Sequence, residues 1–118
     1  MWTPKVNEPE VRSYKLRAVG GTATVSTDTN GGGSGITISR TGTGAYRLTW
    51  SDNPGVFQGW SCNLGAATPV DLAGHTVIRD TYDATNFILD FVVYNASDAA
   101  HDLAALEYAD ITVDFKDY

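Results

Sequence analysis

Residues Gly35 to Trp50 read GITISRTGTGAYRLTW. Ile36 and Ile38 alternate with Thr37 and Ser39, and Tyr46, Leu48 and Trp50 alternate with Arg47, Thr49 and Ser51. A period of two places apolar side chains on one face of an extended chain and polar ones on the other. Two such runs joined by the glycine-rich turn Thr41-Gly42-Thr43-Gly44 read as a β-hairpin. Its aromatic strand, Tyr46-Leu48-Trp50, is thereby assigned to a core and not to a ligand platform.

The same pattern continues on both sides. Over 11–19, Tyr14, Leu16 and Ala18 share a face opposite Lys15 and Arg17. Gly20-Gly21 marks a turn, 22–26 a short strand, and Asp28 to Gly35 a loop rich in residues that tolerate unusual backbone angles. Ser51-Asp52-Asn53-Pro54-Gly55 is a further turn. Strands are then expected over 56–64, with Trp60, Cys62 and Leu64 on one side, and over 76–82, with an irregular connection around Pro69 between them. The strand 86–94 points Phe87, Leu89, Phe91 and Val93 inward. Its other face, Ile88, Val92 and Tyr94, is also apolar, which suits a central strand or one lying under a subunit contact. A last strand, 110–116, directs Ile111, Val113 and Phe115 inward. The segment Ser97 to Leu106, SDAAHDLAAL, is alanine-rich with capping residues at its start, and predicts one short helix. The expected architecture is an all-β antiparallel β-sandwich, jelly-roll-like, with about eight short strands.

The chain has 118 residues, enough for a single domain with its own core. Residues 11–118 form that domain. Met1 to Glu10, with Pro4 and Pro9, reads as an extended N-terminal arm, because proline blocks regular pairing. Trp2 in such an arm calls for an apolar surface to cover it. The net charge is −6 and no basic patch interrupts it, which argues against a nucleic-acid partner. The longest apolar run, Phe87 to Tyr94, is broken by Asp90 and falls far short of the ~20 residues that span a bilayer. The start of the chain has no apolar core of a secretory signal. Cys62 is the single cysteine, has no internal disulfide partner, and reads as a small buried hydrophobe.

Few residues suggest chemistry. His75 and His101 are the two histidines, and neither lies in a recognisable nucleophile motif. Asp80, Asp83, Asp90, Asp110 and Asp114 fall where alternation puts outward faces, so acid–base pairing is not expected of them. No CxxC or HxxxH spacing points to zinc. Asp28-Thr29-Asn30-Gly31 opens like a calcium loop but lacks the later ligands. Gly31-Gly32-Gly33-Ser34-Gly35 is followed by no Lys-Ser/Thr pair and is not a phosphate loop. Asn95-Ala96-Ser97 fits a glycosylation acceptor by pattern alone. No catalytic, cofactor-binding or metal-ligating set is expected, and the chain is not read as an enzyme.

The hairpin GITISRTGTGAYRLTW resembles a segment of small β-rich virion proteins of tailed bacteriophages. In these a Gly-Ile/Val-Thr strand leads through Arg-Thr-Gly-x-Gly to an aromatic-led strand. The later order is similar too: the apolar strand 86–94, the polar run Ala99-Ala100-His101-Asp102-Leu103, then Ile111 to Phe115. The resemblance implies a capsid decoration, or cement, protein: a homotrimer, made in the host bacterial cytoplasm, that binds the major capsid protein on the exterior of the virion and stabilises the head. It implies no cofactor, no nucleic acid and no membrane. Under this reading Trp2, Pro4, Val6 and Pro9 are the expected capsid contacts, and Ile88, Val92 and Tyr94 the expected subunit interface. The alternatives are a phage fibre, spike or tail knob module that meets the host surface, and a carbohydrate-binding module.

Overall fold

A computed structural model of the chain describes residues 11–21, 24–29 and 35–117, with side chains for 11–20 and 35–117. The arm, and with it Trp2, Pro4, Val6 and Pro9, lies outside the described residues, as does 30–34 of the glycine-rich loop. Eight strands are described: β1 (Val11–Gly21), β2 (Thr24–Thr29), β3 (Ile36–Gly42), β4 (Ala45–Trp50), β5 (Val56–Ala66), β6 (Thr76–Arg79), β7 (Ile88–Tyr94) and β8 (Glu107–Lys116). They form two four-stranded antiparallel sheets, one ordered β2-β1-β8-β5 and the other β3-β4-β7-β6. The all-β sandwich expected from the alternation is the fold of the protein.

The alternation decides which side chains meet between the sheets. Tyr46, Leu48 and Trp50 of β4, Leu89, Phe91 and Val93 of β7, and Ile111, Val113 and Phe115 of β8 are all buried, with their sequence neighbours turned outward. Ile36 and Ile38 of β3 and Leu16 and Ala18 of β1 complete the core. Phe115 stands at the centre of an aromatic cluster, its ring centroid 5.2 Å from Trp50, 5.2 Å from Tyr82, 5.7 Å from Tyr14 and 5.9 Å from Phe57. Such edge-on pairs contribute beyond the area they bury.

The opening hairpin closes on a two-residue loop. Gly42 pairs with Ala45, with a register shift between Arg40 and Gly42. Thr43 and Gly44 form the loop, and Gly44 takes a φ of 67°. A Cβ at Gly44 would lie 2.7 Å from the His101 backbone nitrogen and 2.8 Å from the Val93 carbonyl oxygen. Glycine is therefore required there both by backbone angle and by space.

Two expectations are corrected. The segment 97–106 is not a helix. Its backbone groups are taken by acceptors other than helical carbonyls: the Asn95 side-chain oxygen accepts from the Ser97 and Ala99 N–H groups, His101 N–H donates to the Val93 carbonyl, and Leu103 N–H donates to the Tyr46 hydroxyl at 2.7 Å. Asp98 and Leu106 sit at φ 62° and 69°, which breaks any helical run. The one helical turn among the described residues is instead a 3₁₀ turn, Pro69–Leu72, inside the expected irregular connection; Pro69 starts it, and Leu72 is buried. The second correction concerns Phe87. It precedes β7 at φ 58° and packs against the core from a turn.

β5 and β6 are the edges of their sheets on one side of the sandwich, and β6 has only four residues. The inward side chains of the longer β5, Phe57, Trp60, Cys62 and Leu64, are consequently only half-buried. The sandwich is open along this side.

Candidate functional site

Between β5 and the 69–77 segment lies a cavity of about 570 Å³, lined by Trp60, Cys62, Leu64, Leu72, His75 and Val77 among others. Its most reactive candidate is the Cys62 thiol. Burial, with a smaller contribution from Asp110, pushes that thiol up to about 12. It stays protonated at neutral pH, and the thiol form is a poor nucleophile.

At the same end of the sandwich the fold joins the two histidines. Their rings meet edge to face at 4.6 Å between centroids. His101 Nε2 lies 2.8 Å from Glu107 Oε1, which also accepts the Ala104 N–H at 2.8 Å. Glu107 is 8% exposed, the sole buried charged side chain among the described residues. Burial alone would push its carboxyl up, but the Ala104 N–H, the His101 N–H and the neighbouring imidazoles more than offset this and hold it below its ordinary value. An ionised carboxylate only accepts hydrogen bonds, so His101 Nε2 carries the proton.

This pairing was not legible in the sequence: nothing in either motif announces that the β7–β8 connection folds back onto the residue before β6. The group has a base and an orienting carboxylate but no activated nucleophile, and no cluster among the described residues could hold a metal ion. Its neighbourhood points to a structural latch. Arg40 bridges both oxygens of Asp102 at 3.0 and 2.9 Å, and Asp102 also accepts the Gly44 N–H at 2.6 Å. The Arg40 guanidinium and the Gly44 N–H hold the Asp102 carboxyl below its ordinary value. The 95–107 segment is thus pinned to the hairpin on one side and to His75 on the other.

The latch sets an acid limit. Because the folded Glu107 carboxyl titrates below its ordinary 4.5, its stabilisation is complete above that pH and is lost as pH falls through the lower folded value. Glu107→Gln is expected to lower stability by about 2 kcal/mol at neutral pH and to flatten the decline between about pH 5 and pH 3. Urea midpoints across that range check it; parallel curves for both proteins would show that Glu107 does not govern the acid limb.

The expected subunit-interface residues lie on the outer face of the β3-β4-β7-β6 sheet. Val92 sits between Ala45 of β4 and Ile78 of β6, and Tyr94 opposite Thr76. Ile88, Val92 and Tyr94 are each half-buried, whereas Ile78 is 61% exposed. Asp90, between them on β7, is bridged at both oxygens by its cross-strand partner Arg47, at 2.8 and 3.1 Å. The face is a row of apolar side chains interrupted by one neutralised ion pair. Ile78 was missed in the sequence because a four-residue edge strand gives little alternation to read. Trp50 and Tyr46, the aromatics of the opening hairpin, are buried and offer no platform to a sugar.

No protein-family model matches this chain, and neither the curated proteins nor the solved structures contain a significant match to it.

Proposed function

We propose that this protein is a non-enzymatic virion component that decorates the outside of a tailed-bacteriophage head, acting as a homotrimer bound to the major capsid protein. The observation that carries the reading is the outer face of the β3-β4-β7-β6 sheet, where half-buried Ile88, Val92 and Tyr94 lie beside exposed Ile78. Side chains of this kind at the centre of a patch suit burial against a second protein surface. Function would come from buried area, repeated at every equivalent lattice position so that modest contacts add up. The net charge of −6 would keep free subunits apart before assembly.

Quantitative mass spectrometry of purified particles tests this directly. Hundreds of copies per particle are expected; a few to tens would assign the chain to a fibre or tail, and none would end the virion reading. Deleting residues 1–10 is expected to leave a folded oligomer that no longer binds heads, and Val92→Glu to leave a folded monomer.

A further inference from the structure

The five arginines of the chain do not share one fate. Arg12 pairs with Asp117, Arg17 with Asp110, Arg40 with Asp102 and Arg47 with Asp90. Arg79, at the end of β6, has no carboxylate partner among the described residues. Its Nη1 donates to the Asp80 backbone oxygen at 2.8 Å, and its Nε is buried without a hydrogen-bond partner. The nearby acids are engaged elsewhere: the Asp80 carboxylate by the Thr81 N–H, that of Asp83 by Thr85 and Asn86, and that of Asp90 by Arg47.

The surroundings of this guanidinium are also unusual. It lies 4.8 Å over the Phe57 ring, and Phe57 stacks on Tyr82 at 5.5 Å with the rings 13° apart. The three side chains border a depression of about 410 Å³ completed by Gly55, Val56, Thr81 and Ala84. A guanidinium placed over a ring presents a planar fork of donors, which suits a carboxylate. The surrounding apolar wall suits the body that carries it. On a chain of net charge −6, Arg79 is the one arginine without a carboxylate partner among the described residues.

We propose that Arg79, Phe57 and Tyr82 form a binding site for a carboxylate carried on a flat apolar body. Two sources have this chemistry: a separate organic acid, and the chain's own Glu8 or Glu10. Those two residues lie outside the described part, but they stand three and one positions before Val11 in the sequence, and Val11 and Val56 pair with the same residue, Lys116, from opposite sides. The proposal stands apart from the capsid reading and needs no virion to test.

The experiment is a nitrogen–proton NMR titration of the intact protein with benzoate, with benzyl alcohol as the uncharged probe of the same shape. Benzoate is expected to shift the Arg79 Nε–H signal and the amides of Phe57, Thr81, Tyr82 and Ala84, with a Kd on the order of 10 mM. Benzyl alcohol and the Arg79→Gln variant are expected to show binding weakened at least about fivefold. In the Glu8→Gln/Glu10→Gln double variant, unchanged benzoate affinity identifies a separate acid as the occupant. Tighter binding there, with the Arg79 Nε–H signal displaced before any benzoate is added, identifies the chain's own carboxylate. Equal shifts from benzoate and benzyl alcohol, or no benzoate response in either the unmodified protein or the double variant, overturn the proposal even if Arg79→Gln fails to fold.

Discussion

Replacing Phe115 with alanine is expected to lower the stability of the protein by about 4 kcal/mol, within the usual range for emptying a fully buried aromatic site. The ring is fully buried and touches four others, Tyr14, Trp50, Phe57 and Tyr82, so its removal takes away one partner from each pair. The cavity is poorly placed to collapse. β8 is held between β1 on one side and β5 on the other, and cannot shift toward the opposite sheet without breaking both ladders. A domain of this size has about 5–15 kcal/mol in total, so the variant sits close to unfolding. Denaturant midpoints measure the loss; a value under about 1 kcal/mol would mean that the rings re-pack and that the cluster is not the centre of the core.

The second large effect lies in the opening hairpin, where two glycines separated by one residue are expected to behave differently. Gly44→Ala must force a side chain into the left-handed region at φ 67° and bring its Cβ to within 2.8 Å of two backbone atoms. Those atoms belong to Val93 and His101, which also bond to each other, so the hairpin, β7 and the latch are disturbed together. A loss of about 3 kcal/mol is expected. At Gly42 the nearest atom to an added Cβ is 4.0 Å away. Gly42→Ala is expected to change stability by no more than about 0.5 kcal/mol. Equal losses in thermal or chemical unfolding would contradict the close approach at Gly44.

Strands were legible where the two faces differ in chemistry. β4, β7 and β8 alternate cleanly, and every residue the pattern turned inward there is buried. The pattern misled where local preference met distant acceptors. Ala99, Ala100, Ala104 and Ala105 favour a helix on their own, yet Tyr46, Val93 and Asn95 take the hydrogen bonds that a helix would need. The cross-strand pairs Arg17–Asp110 and Arg47–Asp90 became visible only with the register, since the sequence does not say which strands are neighbours. The same holds for His75 with His101, and for Arg79, whose lack of a carboxylate partner among the described residues depends on where the other described acids are engaged. The apolar outer face of β7 was read in advance, and the structure adds Ile78 beside it.

The placement of β8 has a kinetic consequence. It is the last of the described strands along the chain, yet it lies inside its sheet between β1 and β5, and it pairs Arg12 with Phe115 from the far end of the described chain. All four strands of the other sheet lie within residues 36–94 and can pair as soon as those residues are free. In the sheet of β8 itself, β1 can pair early only with β2, and β5 has no strand partner until β8 arrives. Until it arrives, the inner face of the first-formed sheet, with Tyr46, Trp50 and Phe91, lacks Ile111, Val113 and Phe115 opposite it. Closing so distant a contact is slow, and the waiting state exposes aromatic surface and unpaired strand edges to other chains. Copies that emerge together in large numbers therefore run their greatest risk of aggregation in the interval before this one strand inserts.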